Sequence, residues 1–485
     1  WQKHLILLSK VVYKMDGLKL YKGKLKVINV GLEAFGHDLE SLAVPVMQVD
    51  WKPPMEVETE AMSLITKNYE SKIREANAQA LEIINQGKPV LIGMGVALDT
   101  IPGMHKDLIL HAGPPITWDK MCGPMRGAVI GALLYENRAK TAEEAEKLAA
   151  SGEIKYEPCH EHGAVGPMAG IISASMPVLI LKNETFGNLS YATQNEGLGK
   201  VLRYGAFSPE VINRLRWMDA VLYPVLSRAI AHLGQIDLQS LIAQALHMGD
   251  EVHNRNRAGT SLLIRQLAPA LLKTMEKVED TAAVLDFING NDHFFLNLSM
   301  PACKCVLDAA RNIPYSSVAV VMARNGTDFG VQLSGTGNKW FTGAALVPDA
   351  LYFPGYTKED ANPDIGDSAI TETGGLGAFA IAAAPAIVQF VGGSASDALS
   401  YTESMYEICY GESVKYQIPA LDFRGTPLGI DVVKVIENNL VPVIDTGVAH
   451  KNPGVGQVGA GVVKAPAEPF IKAYHALADT LKQGD

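Results

Sequence analysis

The chain has 485 residues, of which 48% are hydrophobic and only 19% charged, with 45 glycines, 26 prolines and a formal net charge of −10. That is enough apolar material for roughly two to four domains, and it lacks the apolar-poor, charge-rich signature of a disordered chain. The acidic balance argues against sequence-independent nucleic-acid binding, which relies on Lys and Arg to neutralise phosphates. No apolar run reaches the roughly 20 residues that a membrane-spanning helix needs.

The chain opens Trp1-Gln2-Lys3-His4, and the run Leu5–Leu8 is too short for a signal-peptide core. Residues 1–14 are therefore expected to be read-through or an alternative start, with Met15 a candidate beginning. Val27–Val30 and Val46–Asp50 read as strands flanking a helix over Gly31–Leu42, a βαβ pattern. Apolar residues then recur at Met62, Ile65, Tyr69, Ile73, Ala76, Ala80 and Ile84, steps of three and four that predict a helix with one buried face, stopped by Gly87 and Pro89. Val90–Met94 follows as a strand. These elements predict a small N-terminal α/β domain over 24–105. Residues 106–206 are rich in glycine and strand signals. From Ser208-Pro209-Glu210, a cap followed by proline at the first helical position, the chain turns helical to about 289, with Asp237 a second cap. Mixed character returns over 290–485, which with 106–206 is expected to form the core. Asn325-Gly326 between two apolar runs predicts a hairpin, Leu376–Val391 a buried Ala-rich helix, and Glu468–Leu481 the last helix. The fold class is thus α/β: a small βαβ-type domain, a mixed glycine-rich core and a helical insertion. The five cysteines have no framework spacing and predict reduced thiols in a cytoplasmic protein.

Seven segments carry candidate chemistry. Glycine lets backbone N–H groups approach an anion, so the turn at Arg126-Gly127 is a candidate phosphate or carboxylate site, its alternative being a tight helix–sheet contact. In Cys159-His160-Glu161-His162, a strand would put His160 and His162 on one face and Cys159 on the other. No third ligand follows by spacing, so no metal is expected, and the two histidines are candidate acid–base groups or satisfied core residues. Asn195 and Lys200 frame a glycine turn suited to an anion, without P-loop spacing. His247, Asp250, Glu251 and Asn254 fall at helical spacing and predict one polar stripe, with His253 on another face. Arg324 beside the hairpin turn is a candidate carboxylate binder. Asp367, Glu372 and Thr373 precede the apolar Ala-rich run, where a buried carboxylate needs a partner or a function. His450 and Lys451 stand beside Gly454–Gly459, a G-x-G-x-x-G that opens no helix and is not read as a dinucleotide site.

The wording and order of these segments matter more than any one of them. PCHEHGAVGPMAGI at 158–171, NEGLGKVLRYGA at 195–206, MGDEVHNRN at 248–256, GDSAITETGGLG at 366–377 and DTGVAHK at 445–451, together with HAGPP, GPMRGA, FFLNL and ARNG, resemble the YlbE/AllG-type family in collinear order over Gly31–Leu481. The resemblance implies a subunit of oxamate carbamoyltransferase, which interconverts oxalurate plus phosphate with oxamate plus carbamoyl phosphate. It further implies FdrA-type and YlbF/AllH-type partner subunits, and it carries over no residue role.

Such chemistry needs cations and N–H donors for two anions and for a tetrahedral oxyanion. It needs no cofactor. Arg126, Gly127, Asn195, Lys200, Arg324, Thr373 and Lys451 are the candidate binding residues, and His160, His162, Asp367, Glu372 and His450 the candidate catalytic ones. The expected ligands are small anions, in an oligomer with neither nucleic acid nor membrane as partner. A CoA-ligase-like acyl transferase, a non-catalytic assembly subunit and a metal-dependent amidohydrolase are the competing readings.

Overall fold

A computed structural model describes residues 26–49 and 53–483. The expectations for residues 1–14, for a start at Met15 and for a strand reaching Asp50 lie outside the described residues. The chain divides into two compact units, Trp1–Pro54 and Met55–Asp485.

The first unit holds β1 (Val27–Val30), α1 (Glu33–Ser41) and β2 (Val46–Val49). The two strands run parallel, with Asn29 opposite Gln48, and the Asn29 amide donates to Gln48 Oε1 at 2.6 Å and to Leu32 O at 2.7 Å. This is the expected βαβ arrangement.

The second unit begins with the helix read from its apolar stripe. A π-helical turn over Leu64–Asn68 leads into α2 (Glu70–Gln86). Ile65, Tyr69, Ile73, Ala76, Ala80 and Ile84 are all buried. Next come β3 (Pro89–Val96), β4 (Leu108–His111), α3 (Gly123–Tyr135) and β5 (Lys155–Pro158), with β4 and β5 parallel. With β6 (Pro177–Asn183), β7 (Leu189–Thr193) and the short β8 (Ile236–Asp237), β3 forms an antiparallel sheet in the order β7-β6-β3-β8. The division at Pro54 therefore differs from the domain end expected near 105. The stripe of α2 packs on strands from far along the chain, and β3 is paired on both edges by strands that follow it.

The stretch that reads as helical is helical: α4 (Pro209–Trp217), α5 (Tyr223–Leu233), α6 (Leu238–His247), α7 (Arg257–Lys273) and α8 (Val278–Asn289). Asp237 caps α6 by accepting from Ser240 N–H at 3.0 Å. After α9 (Leu296–Asp308) the hairpin appears as β9 (Ala319–Asn325) and β10 (Asp328–Leu333), in a sheet ordered β11-β10-β9-β13 with β11 (Phe341–Ala344) and β13 (Ile365–Gly366). Between those two, β12 (Asp349–Tyr352) pairs with β17 (Gln457–Lys464), itself paired with β16 (Val443–Ala449). Strands β14 (Cys409–Ile418) and β15 (Arg424–Ile430) form an antiparallel pair. The final helix is α10 (Ala467–Gln483). The mixed α/β class is as expected. Among the described residues, no helix is long and apolar enough to cross a membrane.

Three local readings are corrected. Leu376–Val391 is not one helix: it is built of 3-10 turns over Gly377–Ala383 and Pro385–Ile387 and a short α-turn. Pro385 has no N–H to continue a ladder. Cys159–His162 is a 3-10 turn rather than a strand. Met248–Asn256 is an irregular loop rather than a continued helix, because Gly249, at φ +80°, ends α6.

Candidate functional site

The segment 363–377 passes through the interior and carries three buried carboxylates, Asp364, Asp367 and Glu372. Its strand β13 pairs with the end of β9, placing Gly366 opposite Arg324. Arg324 is fully buried. Its Nε and Nη2 donate to the two Asp364 oxygens at 2.6 and 3.0 Å, and its Nη1 donates to Gly366 O at 2.8 Å. Nη2 also reaches Thr446 Oγ1 at 3.2 Å. Arg324 is thus spent on an internal ion pair.

One residue further on, Asp367 points the other way. Gly113 N–H donates to its Oδ1 at 2.8 Å and Gly166 N–H to its Oδ2 at 3.0 Å. Those glycine-turn N–H groups serve a carboxylate of the chain itself. His160 Nε2 lies 3.4 Å from Asp367 Oδ1, an ion-pair contact, and neither of its buried ring nitrogens has a hydrogen-bond partner. Burial outweighs the nearby Asp367 charge and lowers the His160 pKa below the ordinary imidazole value.

Glu372 is the hub. It lies in the turn Ile370–Thr373, fully buried. His253 Nδ1 lies 2.7 Å from Glu372 Oε1 and 2.8 Å from Asp445 Oδ1. A proton on Nδ1 is in line with Glu372 and not with Asp445. Asp445 is left buried with neither oxygen hydrogen-bonded. Ala378 N–H at 3.1 Å, Asp445 N–H at 3.4 Å and the Thr371 hydroxyl at 3.0 Å complete the Glu372 shell. Burial opposes the charge on His253, yet the carboxylates of Glu372 and Asp445 outweigh it and hold its pKa well above normal. Burial likewise opposes the Glu372 carboxylate, but His253 wins and lowers its pKa. For Asp445 burial wins, and its pKa rises to about 6.

The loop that delivers His253 is held in an unusual conformation. Val252 sits at φ +57°, costly for a β-branched residue and of the kind found where a site dictates the backbone. Glu251 fixes it, accepting from His253 N–H at 2.6 Å and from Arg255 N–H, and its carbonyl receives Gly377 N–H at 3.0 Å. Asp250, Glu251 and His293 are buried beside it. Burial pushes the Asp250 pKa up to about 7 and the His293 pKa down to about 3.

The remaining expected residues lie outside this centre. His162 pairs with Glu157 Oε2 at 2.6 Å and with Pro102 O at 2.7 Å, so the 3-10 turn separates it from His160. Arg126 donates to Asp119 O at 2.8 Å, stacks over Trp118, and lines a surface groove of about 330 Å³ with Glu143 and Glu146. Gly127 is a packing glycine: a Cβ there would lie 2.2 Å from Gly205 O. Asn195 belongs to an amide ladder with Asn297 and Asn291. Lys200 is exposed. The neighbouring glycine loops meet each other, Gln457 N–H donating to Gly199 O at 3.1 Å. Thr373 donates to Ala369 O at 2.8 Å. His450 Nδ1 accepts from Asn452 N–H at 2.9 Å, with Asp360 3.8 Å from its Nε2, and the exposed Lys451 reaches Glu359 O.

Sequence reasoning set aside two residues of the centre, His253 and Asp445. Helical spacing put His253 off the polar stripe, although Gly249 already marked the end of the helix. Asp445 carried no local signal, since only β16 brings it to Glu372. Among the described residues, His253, Glu372 and Asp445 are the one group with donor atoms placed to hold a metal ion.

Comparison with known proteins gives a consistent picture. A family profile described as oxamate carbamoyltransferase subunit AllG matches residues 154–368. The chain is similar to the oxamate carbamoyltransferase subunit AllG of Escherichia coli K12, with 44% identity over 417 residues, covering 85% of this chain and 100% of that protein. It is 49% identical over 458 residues to the uncharacterized protein YahG of the same organism, covering 94% and 97%. A crystal structure of a conserved protein of unknown function from Enterococcus faecalis V583 superposes with a TM-score of 0.84 at 49% identity, covering 85% of this chain and 99% of that one.

Proposed function

The chain belongs to the AllG family, and on that premise we propose that it is a subunit of an enzyme of the oxamate carbamoyltransferase type. The reaction moves a carbamoyl group between oxamate and phosphate, and the subunit works with FdrA-type and YlbF/AllH-type partners. The observation that carries the reading is the likeness to AllG over that subunit's whole length. The geometry supports it: loop 248–256, segment 366–377 and strand 445–449, which hold three of the shared motifs, converge on His253, Glu372 and Asp445.

When phosphate adds to the ureido carbonyl of oxalurate, the C–N bond of the tetrahedral intermediate breaks and oxamate leaves through its amide nitrogen, which must take up a proton. An imidazole held between two carboxylates keeps a proton in place at neutral pH. The substrate anions need cations as well. Arg324 is consumed internally, so Arg126, Lys200 and Lys451 are the expected side chains still open to a ligand. The full burial of His253, Glu372 and Asp445 favours a second reading, in which the centre organises an assembly subunit and chemistry takes place on a partner.

The test is phosphate release from carbamoyl phosphate plus oxamate, by this chain alone and mixed with the two partner subunits. Activity in the mixture that His253→Gln abolishes, with assembly intact, supports a catalytic role here. Activity untouched by His253→Gln supports the assembly role. A well-folded mixture that is inert with oxamate but consumes CoA rejects the carbamoyltransferase reading for this chain.

A further inference from the structure

One proton does not satisfy the charge around His253. Glu372 Oε1 and Asp445 Oδ1 flank its Nδ1 at 2.7 and 2.8 Å, and Glu251, which accepts from His253 N–H at 2.6 Å, adds a third buried carboxylate to the same loop. The buried Arg324 is already matched by Asp364. A buried carboxylate with two free oxygens is costly by several kcal/mol in a protein interior, and Asp445 is in that position. Donors at about 2.1 Å from a metal in cis positions are about 3.0 Å apart; Nδ1 stands 2.7 and 2.8 Å from the two carboxylate oxygens, a few tenths of an ångström short of that spacing, and all three donor atoms lie within 4.8 Å of one another.

We propose that His253 Nδ1, Glu372 and Asp445 bind one divalent cation of the first transition series. The mixed set of one imidazole and two carboxylates suits zinc or manganese better than magnesium or calcium, which take oxygen ligands. The surroundings are those of a metal site. Glu372 is oriented by Thr371, by Ala378 N–H and by Asp445 N–H, the outer bonds that fix a ligating carboxylate. Gly377 leaves the donors room: a Cβ there would lie 2.3 Å from Glu372 Oε1 and 3.1 Å from His253 Nδ1. The ion replaces the Nδ1 proton, compensates both carboxylates and ties together three segments distant in sequence. The proposal stands independently of the carbamoyl-transfer reading.

The experiment uses the full chain, stripped with chelator and titrated separately with Zn²⁺ and Mn²⁺. Zinc is followed by competition with a chromophoric chelator, and manganese by loss of the free-ion electron paramagnetic resonance signal. The expected result is about one equivalent per chain for at least one of the two ions and a higher melting temperature of the wild type with that ion. Asp445→Asn and Glu372→Gln, folded by circular dichroism, should each weaken binding at least tenfold, while His162→Gln, at the partly buried His162–Glu157 pair outside this centre, should not. A folded wild type that binds neither ion and whose melting temperature neither ion moves overturns the proposal. So does tight binding that survives both carboxylate substitutions. If the variants do not fold, the wild-type stoichiometry and melting shift decide.

Discussion

Arg324 separates an internal ion pair from a substrate anchor, and truncating it tests which it is. The side chain is fully buried, donates twice to Asp364, once to Gly366 O and once to Thr446 Oγ1. Arg324→Met removes all four bonds and leaves Asp364 buried, with the Thr446 hydroxyl at 2.9 Å as its remaining side-chain donor. Breaking a buried pair from one side costs about 3–5 kcal/mol. At about 2.1 cal/mol/K of unfolding entropy per residue, a unit of this size should melt roughly 4 °C lower. Asp364→Leu alone should cost a similar amount, because it strands the guanidinium. The double variant Arg324→Met/Asp364→Leu should recover much of the loss, since replacing both partners by apolar groups is often close to neutral. The assay is thermal unfolding of the four proteins, closed as a double-mutant cycle with an expected coupling of about 2 kcal/mol or more. An Arg324→Met protein that melts like wild type but has lost affinity for oxamate or phosphate would refute the internal-pair argument.

Other substitutions test neighbouring parts of the network. Asp367→Asn keeps one acceptor for Gly113 and Gly166 N–H but turns an NH₂ toward the other; it should cost about 1–3 kcal/mol, read as a melting shift, and an unchanged melt would count against the bonding described. Gly127→Ala drives a methyl to 2.2 Å from Gly205 O and should destabilise the protein by about 1–3 kcal/mol or more; a normally folded variant that merely weakens anion binding would return this turn to the candidate ligand sites. The folded His160 pKa lies below its ordinary value of 6.5. The native imidazole therefore stays neutral where the unfolded one takes a proton, and its contribution is lost as pH falls below 6.5. His160→Gln should accordingly flatten the stability profile below pH 6.5 by up to about 1.4 kcal/mol per pH unit. Comparing the two proteins cancels opposing groups such as Asp250, whose pKa is raised to about 7; parallel profiles would show that His160 titrates normally.

The sequence by itself determined whatever depends on neighbours along the chain. The stripe from Ile65 to Ile84 specified a helix and its buried face, Val27–Val30 and Val46–Val49 a parallel βαβ pair, Asp237 a cap and Asn325-Gly326 a hairpin, because each rests on backbone geometry within a few residues. The motifs likewise carried the family, which their order alone reveals. Only the tertiary structure decided which polar residues meet. Arg324, Glu372 and Asp367 read alike as buried or charged groups near glycines, yet Arg324 is neutralised by Asp364, Asp367 by two backbone N–H groups, and Glu372 by a histidine 119 positions away. Local periodicity placed His253 on the wrong face because Gly249 ends the helix and Val252 adopts a left-handed conformation. Asp445 was hidden altogether. A carboxylate in a strand looks the same from its neighbours whether water or an imidazole faces it, and the difference lies in burial, which the whole fold sets.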